Sequence, residues 1–321
     1  MSRVRELLRA RGRSEAFLRA RRNLAWLTVG SDARIVRSSE SGEAAVHIGP
    51  DIAEIVTTTS EADRLRDEDL AGLDFPIVAS PWYERRSVPA GASTDADLED
   101  ELRRVRSRLA PLEHERMRWL GATAGAAMFE TLGSLRPGQT ELAIAARLQA
   151  TLAERDVAAA VLLVAADERV ERYRHQLPTT KVADRAVMVV VVGERWGLHV
   201  ATTGTLSFSP SSEAARQELE AVRHIERVMH ERTEAGAHLR DVFDAARRAY
   251  AETGYPDEWR RLHLGGTIGY QPREVVASFD DDDIIEPGMA FAWNPSLGAA
   301  KVEDTLLLTA AGQELVTRVA E

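Results

Sequence analysis

Two stretches toward the end of the sequence carry side chains suited to chemistry. HLGGTIGYQPRE runs from residue 263 to 274, and GMAFAWNPSLGAAKVEDTLLLT runs from 288 to 309. The imidazole of His263 can move a proton near neutral pH, although a hydrogen-bonded histidine in a sheet would fit the same pattern. Glu303 precedes the apolar run TLLLT, where a buried carboxylate needs a partner or a proton. We therefore predict His263 and Glu303 as catalytic residues, Glu303 as a base or as an anchor for a substrate ammonium. A structural salt bridge with an arginine is the alternative for Glu303.

Other side chains in this region could orient a substrate. The amide of Asn294 can donate and accept hydrogen bonds but cannot act as a base, and a turn role before Pro295 is the alternative. Arg273 could clamp a carboxylate with two parallel hydrogen bonds, or pair with Glu274 at the surface. The predicted substrate-binding set is Asn294, Arg273, Tyr270, His199 and Thr202.

Composition limits the classes of function. The chain has 321 residues, 44% of them hydrophobic and 29% charged, which is ordinary for a globular protein of one large or two medium domains. The net charge of −10 argues against nucleic acid as the main partner. The absence of cysteine excludes disulfides, thiolate metal ligands and a cysteine nucleophile. Because neither a membrane-spanning apolar run nor a secretory signal is seen, we expect a cytoplasmic protein with no membrane partner.

Residues 1 to about 85 have the pattern of a small mixed α/β unit. RELLRARGRSEAFLRARR predicts a helix, and SEADRLRDEDLAGL predicts a second, capped helix. Five short runs between turn-forming residues predict strands: NLAWLTV, RIVRS, AAVHIG, EIVTTT and FPIVAS. The turn-rich segment SVPAGASTDADLED then predicts a linker into a charged helix, LEDELRRVRSRLA.

The rest of the chain contains a weak internal repeat. Residues 112–155 and 212–253 each contain a long helix, a glycine-bearing turn and an amphipathic helix, and each is followed by strands. Two such halves predict an α+β fold, in which helices cover a curved antiparallel sheet.

Several segments resemble creatinase and aminopeptidase P-like proteins. RNLAWLT, EADRLRDEDLAGLDF and PWYE are similar to the N-terminal domain of that family, and GMAFAWNP and KVEDTLLLT to the closing strands of its catalytic domain. The resemblance implies a small N-terminal α/β domain, expected at residues 1–95, and a C-terminal "pita-bread" domain, expected at 96–321. By analogy with the creatinase-like branch, it also implies a homodimer.

The same resemblance raises a question about metal. Peptidases of the family hold two metal ions with two aspartates, one histidine and two glutamates, since paired divalent cations need several anionic oxygens. The corresponding positions here are Val191, Thr202, Gly266, Asn294 and Glu303. Because only Glu303 is anionic, we expect no metal pair and no other cofactor.

Creatinase itself implies how such a chain could still be an enzyme. That relative cleaves a C–N bond without metal, using a histidine in the segment that corresponds to YRHQLPTTK, which points to His175 as a third catalytic residue. A surface or structural histidine is the alternative. The expected function is metal-independent acid–base chemistry on a small amino-acid-like molecule. A non-catalytic peptide-binding module and a metallo-aminopeptidase with non-standard ligands remain the alternatives.

Overall fold

The computed structural model describes residues 1–84 and 87–318, and it divides into two compact units. The first comprises residues 1–106 and 196–198, and the second comprises 107–195 and the chain from 199 onward. The division expected from the sequence, 1–95 and 96–321, differs mainly in the helix at 99–107. Leu102 and Val105 of that helix belong to the apolar core of the first unit.

The first unit is built on a five-stranded mixed sheet with the order β4-β3-β2-β1-β5. Its two outer pairs, β3–β4 and β1–β5, are parallel, and the inner pairs are antiparallel. The helices are α1 (Ser2–Ala10), α2 (Arg21–Leu27), α3 (Ala62–Arg64) and α4 (Glu99–Ser107). The strands are β1 (Ala16–Ala20), β2 (Ser41–Ile48), β3 (Ala53–Thr58), β4 (Ile77–Ser80) and β5 (Ser93–Thr94).

Three predictions for this unit were wrong. The predicted N-terminal helix ends at Ala10, and its second half is strand β1 paired with β2. NLAWLTV, predicted as a strand, lies mostly in helix α2, and RIVRS lies outside any strand. The periodicity of a short apolar run does not by itself distinguish a strand from a helix. Residues 16–20 form strand β1 because they pair with β2. The strands predicted at AAVHIG, EIVTTT and FPIVAS are confirmed.

The second unit confirms the predicted α+β architecture with two helix–strand halves. Its larger sheets have the orders β6-β7-β8 and β10-β9-β11-β14-β15, and β12 pairs with β13 in a small hairpin. The helices are α5 (Pro111–Ser134), α6 (Glu141–Ala153), α7 (Glu168–Arg172), α8 (Glu213–Arg232) and α9 (Leu239–Glu252). The strands are β6 (Ala158–Ala166), β7 (Ala186–Arg195), β8 (Leu198–Ser207), β9 (Gly265–Ile268), β10 (Val275–Val276), β11 (Ala290–Trp293), β12 (Ser296–Leu297), β13 (Ala300–Lys301), β14 (Asp304–Thr309) and β15 (Gly312–Leu315).

Strand β8 connects the two halves of this unit. The amide of His199 donates to the carbonyl of Gly269 at 2.8 Å, and the amide of Thr203 donates to the carbonyl of Glu303 at 3.0 Å. These bonds bring β8 of the first half beside the chain entering β14 in the second half. Across residues 1–84 and 87–318, no helix is long and apolar enough to cross a membrane.

Candidate active site

Glu303 lies at the centre of a buried ionic cluster. Its Oε1 accepts a hydrogen bond from Nη2 of Arg273 at 2.7 Å, and its Oε2 accepts from Nζ of Lys301 at 2.8 Å and from the hydroxyl of Thr203 at 2.9 Å. Burial alone would raise the pKa of Glu303, but the charges of Lys301 and Arg273 lower it to about 2. The carboxylate is therefore ionised at neutral pH, and both of its oxygens already have partners.

The strand that follows separates Glu303 from its acidic neighbour. Asp304 turns to the other side, where it accepts hydrogen bonds from Thr317 and Arg318. This is the outcome expected when successive side chains alternate between the faces of a strand. By the same rule Lys301, two residues before Glu303, lies on the same side as Glu303. Lys301 was missed from the sequence, and the KVED spacing is the signal that could have identified it.

His263 and His175 lie close together beside this cluster. Their ring centroids are 6.3 Å apart. Nδ1 of His263 accepts a hydrogen bond from the amide of Gly265 at 3.2 Å, which leaves the ring proton on Nε2. Burial first, and then the charges of Arg273 and His175, lower the pKa of His263 to about 4, against a smaller opposing effect of Glu303. His263 is therefore a neutral imidazole that can donate through Nε2.

The loop that carries His175 joins α7 to β7 and is held on both sides of the histidine. Nη1 of Arg174 donates to the carbonyl of Gly298 at 2.8 Å. The carbonyl of Gln176 accepts from the amide of Val164 on β6 at 3.0 Å. Because its neighbours are fixed while its own side chain is exposed, His175 is positioned and still accessible to solvent.

Asn294 presents a buried acceptor at the end of β11. Its backbone amide donates to the carbonyl of Leu264 at 3.0 Å, which fixes it beside the strand that follows His263. The residue is only 4% exposed, and among the described residues its Oδ1 has no hydrogen-bond partner. An unsatisfied buried carbonyl costs about 1–3 kcal/mol, so a donor from a bound molecule would be favourable here.

The other predicted binding residues are engaged elsewhere. The hydroxyl of Tyr270 donates to Oε1 of Glu113 on α5, and Nδ1 of His199 donates to the carbonyl of Gly269. Thr202 is buried on β8, but it is the adjacent Thr203 that bonds to Glu303. The structure therefore pairs Arg273 with Glu303 and places His263 between this pair's electrostatic influence and the nearby ring of His175.

The family's pair of metal ions does not fit these residues. Val191 is fully buried on β7 opposite Leu162, and Gly266 has no side chain to offer as a ligand. At Glu303, the one anionic position, the cations Arg273 and Lys301 already occupy the oxygens that a metal would need. In the part of the chain that the structure describes, no three histidine or acidic side chains are grouped to hold a metal ion.

Comparison with known proteins gives the family. The prolidase from Pyrococcus horikoshii OT3 superposes with a TM-score of 0.82 at 16% identity, covering 100% of this chain and 98% of that one. The Xaa-Pro dipeptidase from Bacillus anthracis gives 0.79 at 17% identity, covering 100% and 97%. The N-terminal domain of the FACT complex subunit SPT16 from chickpea gives 0.72 at 10% identity, covering 99% and 93%. No curated protein matches the sequence significantly. The model of metallopeptidase family M24 matches residues 115–310, and the chain belongs to that family.

Proposed function

We propose that this member of family M24 is a metal-independent enzyme of the creatinase type. It cleaves or rearranges a C–N or related bond in a small amino-acid-like molecule. The observation that carries the proposal is the internal neutralisation of Glu303 by Lys301 and Arg273. These two cations occupy the carboxylate oxygens that metal ions would need. Histidine side chains suited to proton transfer lie beside them.

The charge balance of the cluster gives each member a role. Lys301 and Arg273 carry two positive charges against the single negative charge of Glu303, so the cluster keeps a net charge of +1. Nε of Arg273 is buried without a hydrogen-bond partner in the described chain. We assign Glu303 a positioning role that holds both cations, in place of the base or ammonium anchor expected from the sequence. The two cations stabilise negative charge on the substrate or in the transition state.

His175 supplies the proton transfer in this proposal. In a hydrolysis, its imidazole takes a proton from the attacking water as the C–O bond forms. It then returns that proton to the leaving nitrogen as the C–N bond breaks. Imidazole can both accept and donate a proton, and it is the side chain most often used for general acid–base catalysis. Its exposure next to the buried cluster gives it access to water and to the substrate.

Two neutral groups orient the substrate. His263 donates through Nε2, since its Nδ1 is occupied by the amide of Gly265. The unpartnered Oδ1 of Asn294 accepts an N–H of the substrate. One donor and one acceptor beside a cationic cluster fit a molecule that carries both an N–H group and a carboxylate or amide carbonyl.

A substrate screen in the presence of a chelator tests the proposal. The panel contains N-substituted amino acids, small amidines and Xaa-Pro dipeptides, the last because solved relatives bear that name. We expect turnover of at least one compound that is unchanged by a chelator and abolished in His175→Ala. Turnover that requires added manganese or zinc would overturn the metal-independent assignment.

A peptide-binding module without catalysis is the second candidate. The full-length likeness to the SPT16 domain favours it, although at 10% identity that likeness concerns the fold alone. This candidate predicts binding without turnover and an affinity that is indifferent to His175. Calorimetric titration of wild type and His175→Ala with any ligand from the screen separates the two candidates.

A further inference from the structure

A cavity in the first unit is lined by three arginines. Its volume is about 270 Å³, and its lining residues are Arg5, Leu8, Arg9, Arg13, Ser14 and Pro50. The cavity lies within residues 1–106 and shares no residue with the candidate active site. Three guanidinium groups around one small cavity call for a physical explanation, because like charges in proximity repel.

The end of helix α1 brings the arginines together. Arg5 and Arg9 are four residues apart and therefore lie on one face of the helix. Gly12, with a φ of +63°, then reverses the chain. The amide of Arg13 returns to the carbonyl of Leu8 at 2.8 Å and that of Gly12 to the carbonyl of Arg9 at 3.0 Å, the pattern of a Schellman motif. The motif folds Arg13 back beside the helix.

Arg5 is fixed by the turn between β2 and β3. Its Nε donates to the carbonyl of Gly49 at 2.9 Å, and its Nη2 donates to the carbonyl of Ile52 at 3.0 Å. Those bonds place Pro50 at the cavity. They bring no counter-charge to the guanidinium, and its Nη1 is left for another acceptor.

The nearby carboxylates do not neutralise these cations. Within residues 1–84 and 87–318, no carboxylate oxygen lies within 4.0 Å of a guanidinium nitrogen of Arg5, Arg9 or Arg13. Glu15 and Glu54 instead hold the two ring nitrogens of His47 at 3.0 Å each. Asp97 accepts hydrogen bonds from the amide and hydroxyl of Thr94, and Arg13 acts on it only through a weaker Coulomb attraction.

We propose that this cavity binds a small phosphorylated molecule. The guanidinium groups of Arg9 and Arg13, with Nη1 of Arg5, receive the phosphate oxygens, since arginine matches phosphate geometry with paired hydrogen bonds. The hydroxyl of Ser14 adds a donor. The exposed Pro50 supplies an apolar surface for a short organic body, and the buried Leu8 contributes only its edge to the lining. A volume of about 270 Å³ is just below the range of drug-sized ligand sites, which favours a phosphomonoester over a dinucleotide.

Calorimetric titration of the full chain tests this site. The probes are inorganic phosphate and glycerol 3-phosphate, with acetate at equal ionic strength as the reference for non-specific attraction. We expect both phosphates to bind and acetate not to bind. Tighter binding of glycerol 3-phosphate supports the apolar contact with Pro50, whereas equal affinities would overturn that part of the assignment. Absence of phosphate binding at millimolar concentration would overturn the site itself.

Paired variants connect the binding to the arginines. Arg9→Gln and Arg13→Gln leave the bonds of Arg5 to the turn intact, so the fold should hold, and an unchanged Tm checks this. Each should weaken phosphate binding by about tenfold or more, because a charge-assisted hydrogen bond is lost. Arg37→Gln, an exposed arginine of the same unit, is the matched control and should bind as the wild type does. Equal losses in the control and in the two variants would show that net charge, and not this cavity, governs binding.

Discussion

Nη2 of Arg273 lies 2.7 Å from Oε1 of Glu303, and both side chains are largely removed from solvent. Lys301 completes the arrangement on the other carboxylate oxygen. Taking three charges out of water is costly, and the cost is offset only while all partners are present. The cluster should therefore respond strongly to the loss of any one charge.

Glu303→Gln should destabilise the protein by about 3–5 kcal/mol, because two buried cations lose their counter-charge. Chemical denaturation at pH 7 measures the change. The control is Glu314→Gln, which removes an exposed ion pair with Arg118 and should cost less than about 1 kcal/mol. A loss for Glu303→Gln no larger than that of the control would contradict the assigned counter-ion role.

The low pKa of Glu303 predicts that the folded protein loses stability in acid. The pKa of Glu303 is about 2 in the folded state, below its ordinary value near 4.5. Its contribution is therefore complete above pH 4.5 and is lost as pH falls toward 2. The free energy of unfolding of the wild type should decline over that interval, and Glu303→Gln should show a shallower decline.

His175→Ala should lower kcat by about 10²–10⁴ on any compound that the wild type turns over, the usual contribution of general acid–base catalysis. Because the side chain is exposed, Tm should not change. His224→Ala, a partly exposed histidine on α8, is the control and should retain full activity. Equal activity of wild type and His175→Ala would remove His175 from the reaction.

His263 should remain neutral well below neutral pH. Its pKa is lowered to about 4, so NMR titration of the ring nitrogens should show the Nε2–H tautomer down to about pH 5. The unfolded chain binds this proton near pH 6.5, so the contribution of His263 to stability should fall as pH drops from 6.5 toward 4. A titration midpoint above pH 6 would contradict the buried, cation-facing environment.

Glu226 on α8 should affect stability in the opposite direction from Glu303 and His263, because its contribution falls as pH rises. Burial first, and then the charge of Asp304, raise its pKa to about 7, while Arg318 opposes the shift. The folded state therefore keeps this proton longer than the unfolded state, and stability falls as pH rises from about 4.5 through 7. Glu226→Gln, which resembles the protonated form, should be more stable than wild type at pH 8 by up to about 3 kcal/mol and nearly equal at pH 4. Glu220→Gln, exposed on the same helix, should show no such difference.

Metal content directly tests the prediction that this chain does not bind the metal pair of its family. We expect elemental analysis of the purified protein to give no stoichiometric transition metal, and anomalous maps of manganese-soaked crystals to show no pair of peaks at residues 191, 202, 266, 294 and 303. The reason is that the four non-acidic positions bring no anionic oxygen to offset two divalent charges. Two peaks about 3.5–4 Å apart there would contradict the prediction.

The sequence predicted the fold better than the interactions within the site. Helix α9 carries its signal locally, in a strong apolar periodicity, whereas AFLRA became a strand only through pairing with β2. Glu303 was correctly expected to be buried and in need of a partner. Which cation would reach it could not be read from the sequence, because Arg273 lies on a different segment 30 residues away. The homodimer stays a prediction, which sedimentation at micromolar concentration would test.

The glycine pair before Thr267 bears on whether a metal-binding histidine could be introduced into this strand. A Cβ at Gly266 would collide with the carbonyl oxygen of Val275, and one at Gly265 with that of Ala292. Position 266 is where the resemblance puts the family's metal-binding histidine. A Gly266→His substitution would therefore meet the neighbouring strand backbone, and strands β9 and β10 would have to separate to admit the new side chain.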